Sequence, residues 1–281
     1  MTWEVSALRI GQHPALCSRL LYGYRSYGRP DVAVDLTFFF WVLRRGDEII
    51  VVDTGFDEAW FAARGSEMRW SVPPIEALRA MGIDAATVAT VVLTHLHFDH
   101  IGTVASFPAA KFIIQRQEWE FWLSELGSTA PMTAHTDVAA LDHLKSAMKA
   151  GRVRLVDGSE AVADGVEVML APGHTPGQQL VVVDGSLVLA SDAAHLYDEL
   201  NRRMLFGTFT DAVAMYDSYL LLQTLAADGL TVVPGHDPQV LDRFPSLDPA
   251  RPELGVRLTG ATVRSSSSTT RASWPRPSTS T

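Results

Sequence analysis

Residues 94–102 read THLHFDHIG, and the run before them, ATVATVVL, is apolar. His95, His97, Asp99 and His100 therefore fall within six residues, at the end of what reads as a buried strand. Imidazoles and carboxylates are costly to bury unless they are paired, hydrogen-bonded or bound to a cation. A fold for this chain must bring that strand end to a polar cavity. With 9 histidines in 281 residues, three at fixed places arise by chance in roughly a few cases per 10⁵. A solvated loop explains the clustering poorly; a metal site explains it well.

The spacing has a physical use. His95 and His97 are two apart, so in an extended segment they point the same way. A turn after them lets Asp99 and His100 face a second position. One stretch can offer two ligands to each of two cations, and neutral imidazole with carboxylate suits Zn²⁺, with Mn²⁺, Fe²⁺ or Co²⁺ as alternatives. Four ligands are too few for two cations. Three further strand ends present the same residue types: His174 in LAPGHTPGQ, Asp192 in LASDAAH and His236 in TVVPGHD. Each alone is a weak signal, since a single loop histidine is often structural.

The formal charge of −9 argues against non-specific nucleic-acid binding and against an anionic membrane surface. The single cysteine, Cys17, excludes an internal disulfide and a cysteine-based zinc site, and reads as a small buried hydrophobe. The start, MTWEVSALRIGQHP, lacks the pattern of a secretory leader. The most apolar run, LTFFFWVL at 36–43, is too short to cross a bilayer. A cytoplasmic protein is expected.

Strand-like runs recur: VDLTFFFWVL, EIIVVD, TVVLTH, KFIIQ, RVRLVD, VEVMLA, QQLVVVD, SLVLASD and LTVVPG. Arg44-Arg45-Gly46-Asp47 and Asp184-Gly185 read as hairpin turns. Helical patterns at 73–82, 116–127, 137–151 and 210–229 each end in glycine. Two batches of strands, each followed by helices, predict two sheets with helices outside them. Residues 1–250 are expected to form one domain. Residues 251–281 form a Ser/Thr/Arg-rich stretch, without Asp or Glu from Leu254 onward; it is expected to be a disordered tail outside the fold.

Together these motifs resemble the metallo-β-lactamase superfamily of metal-dependent hydrolases. The resemblance runs from about residue 34 to 240 and rests on HxHxDH at His95, His97, Asp99 and His100, then His174, Asp192 and His236. Asp53 in VVDTGF matches the family's early aspartate, which hydrogen-bonds near the site rather than binding metal. The resemblance implies an α/β fold: an αββα sandwich of two mixed sheets with helices on the outer faces and the metals at one edge between the sheets. It implies two Zn²⁺ per chain, or other divalent transition metals. His95, His97 and His174 would hold the first, Asp99, His100 and His236 the second, and Asp192 would bridge them. An aspartate bridge departs from the β-lactamases proper. His97, where diiron flavoproteins carry Glu, argues against an oxygen-reducing centre.

Within the superfamily the chain is most similar to the lactonases, the group that includes the N-acyl homoserine lactonases. The implied reaction is opening of a small lactone ring by a hydroxide held between the cations. Lactonases usually carry Tyr three residues after the bridging Asp. Here that position is His195, and Tyr197 follows two residues later. Asp99, His195 and Tyr197 are the catalytic candidates, with His195 read either as a general acid or as a cap of the following helix. A thioesterase similar to glyoxalase II or another ester hydrolase is the alternative, followed by an RNase Z-type nuclease and by a non-catalytic metal-binding domain. The expected partner is a small lactone or ester, with neither nucleic acid nor membrane; the family also admits a homodimer.

Other residues carry two readings each. His135 belongs to a solvated loop or a pocket lid. Arg202–Phe206 supplies a cation and an apolar wall, or a surface pair beside a core segment. Trp60, Phe61 and Trp70 line a pocket or fill the core. His13 and His143 read as ordinary surface or core residues.

Overall fold

Phe38, Phe40 and Val42 leave their strand on one face, Phe39, Trp41 and Leu43 on the other, and all six are buried. Both faces of that strand are thus covered, which is why the run reads as continuous apolar sequence rather than alternation. The computed structural model of the chain describes residues 2–63 and 68–260.

The chain enters through β1 (Glu4–Leu16) and returns antiparallel as β2 (Ala33–Arg45). Gly46, at φ 62°, makes the expected turn into β3 (Glu48–Val52). β4 (Arg69–Trp70) is a short addition to β1. β5 (Thr90–Val92), β6 (Lys111–Gln115) and β7 (Val153–Val156) then extend the sheet in parallel. The second sheet holds β8 (Glu160–Ala163), β9 (Val166–Leu170), β10 (Gln179–Val183), β11 (Leu187–Ser191) and β12 (Thr231–Pro234). The last strand, β13 (Gly255–Arg257), rejoins the first sheet beside β1. The orders are β13-β1-β2-β3-β5-β6-β7 and β12-β11-β10-β9-β8.

Side chains sort into layers accordingly. Phe39, Trp41, Val52 and Val92 meet Val168, Val181, Leu189 and Val233 between the sheets. The outer face of the first sheet packs Val91, Phe112 and Ile114 against Leu78, Trp119, Trp122 and Leu144 of the helices Pro74–Ala80, Arg116–Leu123 and Val138–Lys149. The outer face of the second packs Leu180, Val188 and Val232 against Met215, Tyr219 and Leu222 of the helix Ala212–Ala227. This is the αββα sandwich that the sequence predicts. Asp137 and Asp211 start their helices by accepting backbone N–H bonds. Gly82, Gly151 and Gly229 follow helix ends with positive φ. The helix at 116 stops at Leu123, short of Gly127. No helix among the described residues is long and apolar enough to cross a membrane.

One expectation is corrected, and one strand went unread. The corrected expectation is the domain boundary at 250. Residues 255–257 pair with Leu8–Ser6, and Leu254, Val256 and Leu258 are buried. The fold therefore continues past 251, and the period-two alternation of Leu254, Val256 and Leu258 was its signal. The rest of the expected tail, 261–281, lies outside the described residues. The unread strand is in the N-terminal segment, where Gly11, His13 and Pro14 interrupt the pattern. It forms the 13-residue β1, with a register shift between Arg9 and Gly11.

Burying Leu254, Val256 and Leu258 is worth roughly 1.5–3 kcal/mol each before entropy is subtracted. A chain cut after Ala250 is expected to melt at least about 5 °C below one cut after Gly260. Equal melting temperatures in calorimetry would return those residues to the tail.

Candidate metal centre

β5 ends at Val92, and Leu93 still donates to Ile113 O across the sheet at 3.0 Å. The chain stays extended through His97 (φ −73°, ψ 159°) and then turns into the short helix Phe98–Ile101. His95 and His97 thus leave an extended segment, while Asp99 and His100 sit on a helical turn, as the spacing predicts. His174 arrives on the loop after β9, Asp192 directly after β11 and His236 after β12. All four segments end at one edge of the sandwich, and all seven side chains are buried.

The donors form two groups: His95, His97, His174 and Asp192, and then Asp99, His100 and His236, each within 4.8 Å internally. His97 Nδ1 is 3.0 Å from His95 Nε2 and 2.9 Å from His174 Nε2. Asp192 Oδ2 stands 3.3 Å from His174 Nε2 and 3.8 Å from His95 Nε2. Its other oxygen, Oδ1, is 3.0 Å from His236 Nε2 and 3.3 Å from His100 Nε2. Asp99 Oδ2 completes the second group at 3.3 Å from His100 and 3.6 Å from His236. Ligands bound at 2.0–2.1 Å around a tetrahedral cation stand about 3.3 Å apart, so these donors are spaced for a shared ion. His100 Nε2 is buried without a hydrogen bond, as a nitrogen directed at a cation would be. The donor set fits two divalent cations with one carboxylate oxygen of Asp192 facing each group.

Four of the five imidazoles, all but His97, are aimed by a partner on the other nitrogen. Asp53 Oδ2 accepts from His100 Nδ1 at 2.7 Å. Thr208 O accepts from His174 Nδ1 at 2.8 Å, and Thr37 O from His236 Nδ1 at 3.2 Å. Thr94 Oγ1 lies 3.2 Å from His95 Nδ1 and itself donates to Asp53 Oδ2. These contacts fix the ring orientations and leave the inward nitrogens free. Burial, reinforced by neighbouring imidazoles, holds His95 and His97 well below the usual histidine range, and burial takes His174 down to about 3. These three are neutral and can donate lone pairs. Burial would also lower His100, but Asp99, Asp192 and Asp53 lift it well above the usual value. Asp53 (φ 59°) and Ser191 (φ 46°) occupy the left-handed region, a strain of about 1–3 kcal/mol each that is concentrated beside the site.

A buried residue that the sequence reading missed holds two ligand loops together. Glu118, fully buried, accepts from Leu96 N at 2.9 Å, Trp122 Nε1 at 2.7 Å and Gly177 N at 3.0 Å. It ties the segment carrying His95 and His97 to the loop carrying His174. Gly177 has no room for a side chain, because a Cβ there would collide with the Glu118 backbone.

The remaining candidates separate. His195 comes to the centre, with Nε2 3.1 Å from Asp192 Oδ2. Burial opposes its charge, but Asp192 and Glu199 push its pKa up to about 9. The cap residue of the following helix is Leu196, not His195. Tyr197 turns away: it lies in the core between the sheets, with the Arg243 guanidinium 3.8 Å over its ring. His135 is exposed at the rim, its ring 5.7 Å from His97. Of the Arg202–Phe206 segment, Phe206 reaches the centre and stacks on His195 at 3.4 Å. Trp60 stacks on Phe98 at 3.7 Å, beside the metal groups. Phe61 and Trp70 pack on Phe56 behind it. His13 packs edge-on against Phe61, and His143 lies on the helix Val138–Lys149 away from the centre.

The sequence profile of the metallo-beta-lactamase superfamily matches residues 39–236. An N-acyl homoserine lactonase of Azorhizobium caulinodans is 34% identical over 184 residues, covering 63% of this chain and 67% of the relative. Among solved structures, an N-acyl homoserine lactone hydrolase with the product N-hexanoyl-L-homoserine bound at its catalytic metal centre superposes with a TM-score of 0.67 at 20% identity, over 85% of this chain and 95% of that one. A dizinc quorum-quenching lactonase in complex with its product gives 0.67 at 20% identity, over 84% and 88%. At those identities the two structures speak for the fold.

Gly173, at φ 127°, sits against the Met215 backbone, where a Cβ would collide. Gly173→Ala is expected to displace His174 and weaken metal binding about 10–100-fold, read by competition with a chelating dye; unchanged affinity would sink the assignment of His174. Asp99, Asp192 and Asp53 favour the protonated form of His100, and a cation at its Nε2 would displace that proton. Metal uptake by the stripped protein at pH 7 should therefore release at least about one proton per chain, with affinity falling as pH falls. Calorimetry in buffers of different ionisation enthalpy measures this, and zero release would contradict it.

Proposed function

The chain belongs to the metallo-beta-lactamase superfamily, and from that premise we propose that it is a dinuclear metal-dependent hydrolase that opens lactone rings. The observation that carries this reading is the Asp192 carboxylate, with one oxygen toward each group of donors. His95, His97 and His174 would hold one cation, Asp99, His100 and His236 the other, with Asp192 shared between them. Zinc is the metal proposed, because neutral imidazoles with carboxylates suit it and a structural neighbour is described as dizinc. Bound there, two cations would lower the pKa of water toward neutrality and polarise a carbonyl oxygen.

The chain's own residues do the rest. Asp53, Thr94, Thr37 and Thr208 keep the inward nitrogens aimed, so little reorganisation is needed on loading. Phe98 and Trp60 on one side and Phe206 on another limit water around the centre. His195 Nε2 lies 3.1 Å from Asp192 Oδ2, where it would be available to hydrogen-bond a substrate oxygen. Tyr197 takes no part. The curated relative acts on N-acyl homoserine lactones by its name, and these are the first substrates to try. Their lactone carbonyl would lie at the cations. The ester and thioester reading has no observation of this kind behind it.

Elemental mass spectrometry together with a lactone panel followed by proton release tests the reading. Two zinc equivalents with ring opening are expected. His97→Ala and Asp192→Asn should each lose metal and lower kcat/KM at least about 100-fold, more than the loss of a supporting hydrogen bond alone. A variant with full metal and an intact rate would overturn the ligand set. Two equivalents with turnover of esters or thioesters but of no lactone would overturn the substrate class.

A further inference from the structure

His195 is surrounded by more than the metal groups require. Its ring is 2% exposed, and Phe206 stacks on it with planes 7° apart. Its Nε2 faces Asp192 Oδ2 at 3.1 Å yet has no hydrogen bond of acceptable geometry, a condition shared with His100 Nε2. On the far side of the ring, Nδ1 lies 3.3 Å from Glu199 Oε1. Glu199 is fully buried and gathers four donors. Oε1 takes His195 Nδ1 and, at 2.6 Å, the Tyr219 hydroxyl. Oε2 takes the backbone N–H of His195 at 3.2 Å and of Leu196 at 3.1 Å. Tyr219 Oη in turn accepts the backbone N–H of Phe206 at 3.3 Å.

We propose that Glu199, held by Tyr219, is a positioning residue that fixes the His195 ring with Nε2 toward the space between the two metal groups, where a substrate oxygen would bind. The inference rests on the lactonase reading for the identity of that oxygen. Its physical basis is a device that the structure uses twice. Asp53 takes Nδ1–H of His100 and leaves Nε2 facing inward; Glu199 does the same for His195. A carboxylate at the third position of the helix Tyr197–Arg202 can also serve as half of a capping box. That purely structural role uses Oε2 alone. It gives no reason for the ring nitrogen and the buried phenol to converge on Oε1. Because Tyr219 also receives the Phe206 backbone, one hydroxyl couples the carboxylate that aims the ring to the segment that supports its face.

The test uses zinc-loaded full-length protein and two readouts. Ring-nitrogen NMR should find His195 Nδ1 protonated. In Glu199→Gln the amide oxygen stays with the two backbone N–H groups and the amide NH₂ turns to Nδ1, so Nδ1 gives up its proton. On lactone substrates kcat should fall about 10–100-fold, with KM within about threefold and zinc content unchanged. Introduced into His195→Tyr, the same Glu199→Gln change should alter kcat less than about threefold, because no imidazole is left to aim. Tyr219→Phe, which keeps the carboxylate and the packing, should shift the ring-nitrogen signals in the same direction by less. Equal losses from Glu199→Gln in both backgrounds, or an Nδ1 still protonated in Glu199→Gln, would overturn the proposal and leave Glu199 as a cap. If the wild-type protein opens no lactone, the functional reading fails by itself, and the ring-nitrogen result still decides the positioning role.

Discussion

Asp192 faces three imidazoles with one oxygen and two with the other, and the architecture of this edge of the protein follows from that. A carboxylate in a dry cavity needs compensation close at hand. The compensation comes from residues on both sheets: the end of β5 in one, and the ends of β9, β11 and β12 in the other. Strands of two separate sheets must therefore finish at the same depth. The apolar layer between them, from Trp41 and Val52 to Val181 and Leu189, sets that depth. The polar centre and the greasy interior are one problem in packing, since a shift of one sheet over the other would pull the two donor groups apart.

Around the donors lies a second layer that is nearly all hydrogen bonds to oxygen. Two of its members are buried carboxylates, Asp53 and Glu199, and a third, Glu118, works on backbone rather than on rings. None of the three needs to touch a metal. Asp53 and Glu199 act on ring orientation and Glu118 on the loops that carry the rings, which is where the accuracy of a metal site resides. The strained backbone at Asp53 and Ser191 belongs to the same layer. It places short polar side chains where an ordinary strand end could not.

Much of this was legible in the sequence for a definite reason. Strands covered on both faces leave unbroken apolar runs, and β2, β10 and β11 are of that kind. Metal donors are polar residue types at the ends of such runs, so HLHFDH, His174, Asp192 and His236 stood out. The missed elements lack those contrasts. β1 carries Gly11, His13 and Pro14, and β13 is three residues long within a stretch dominated by Ser, Thr and Arg. Glu118 looks like the solvated face of a helix until its partner, 59 residues away, is known. Tyr197 was singled out by counting from Asp192, but a helix starts at that residue and turns it toward Arg243, while His195, still in the loop, keeps its course to the centre.

The first and last described strands are neighbours, with Ser6 opposite Arg257 and Leu258 N bonded to Val5 O at 2.7 Å. Topologically the fold is therefore close to a ring. Its natural seam lies at the edge of the first sheet, well away in sequence from every metal donor. The passage from β7 to β8, where the chain leaves one sheet for the other, is an equivalent seam between the HLHFDH segment and His174. The two sheets are thus interchangeable as beginning and end. A permuted chain that opened at residues 157–159 and closed across β1 and β13 would keep every hydrogen bond of the metal centre, and each sheet would then be made from one unbroken half of the polypeptide.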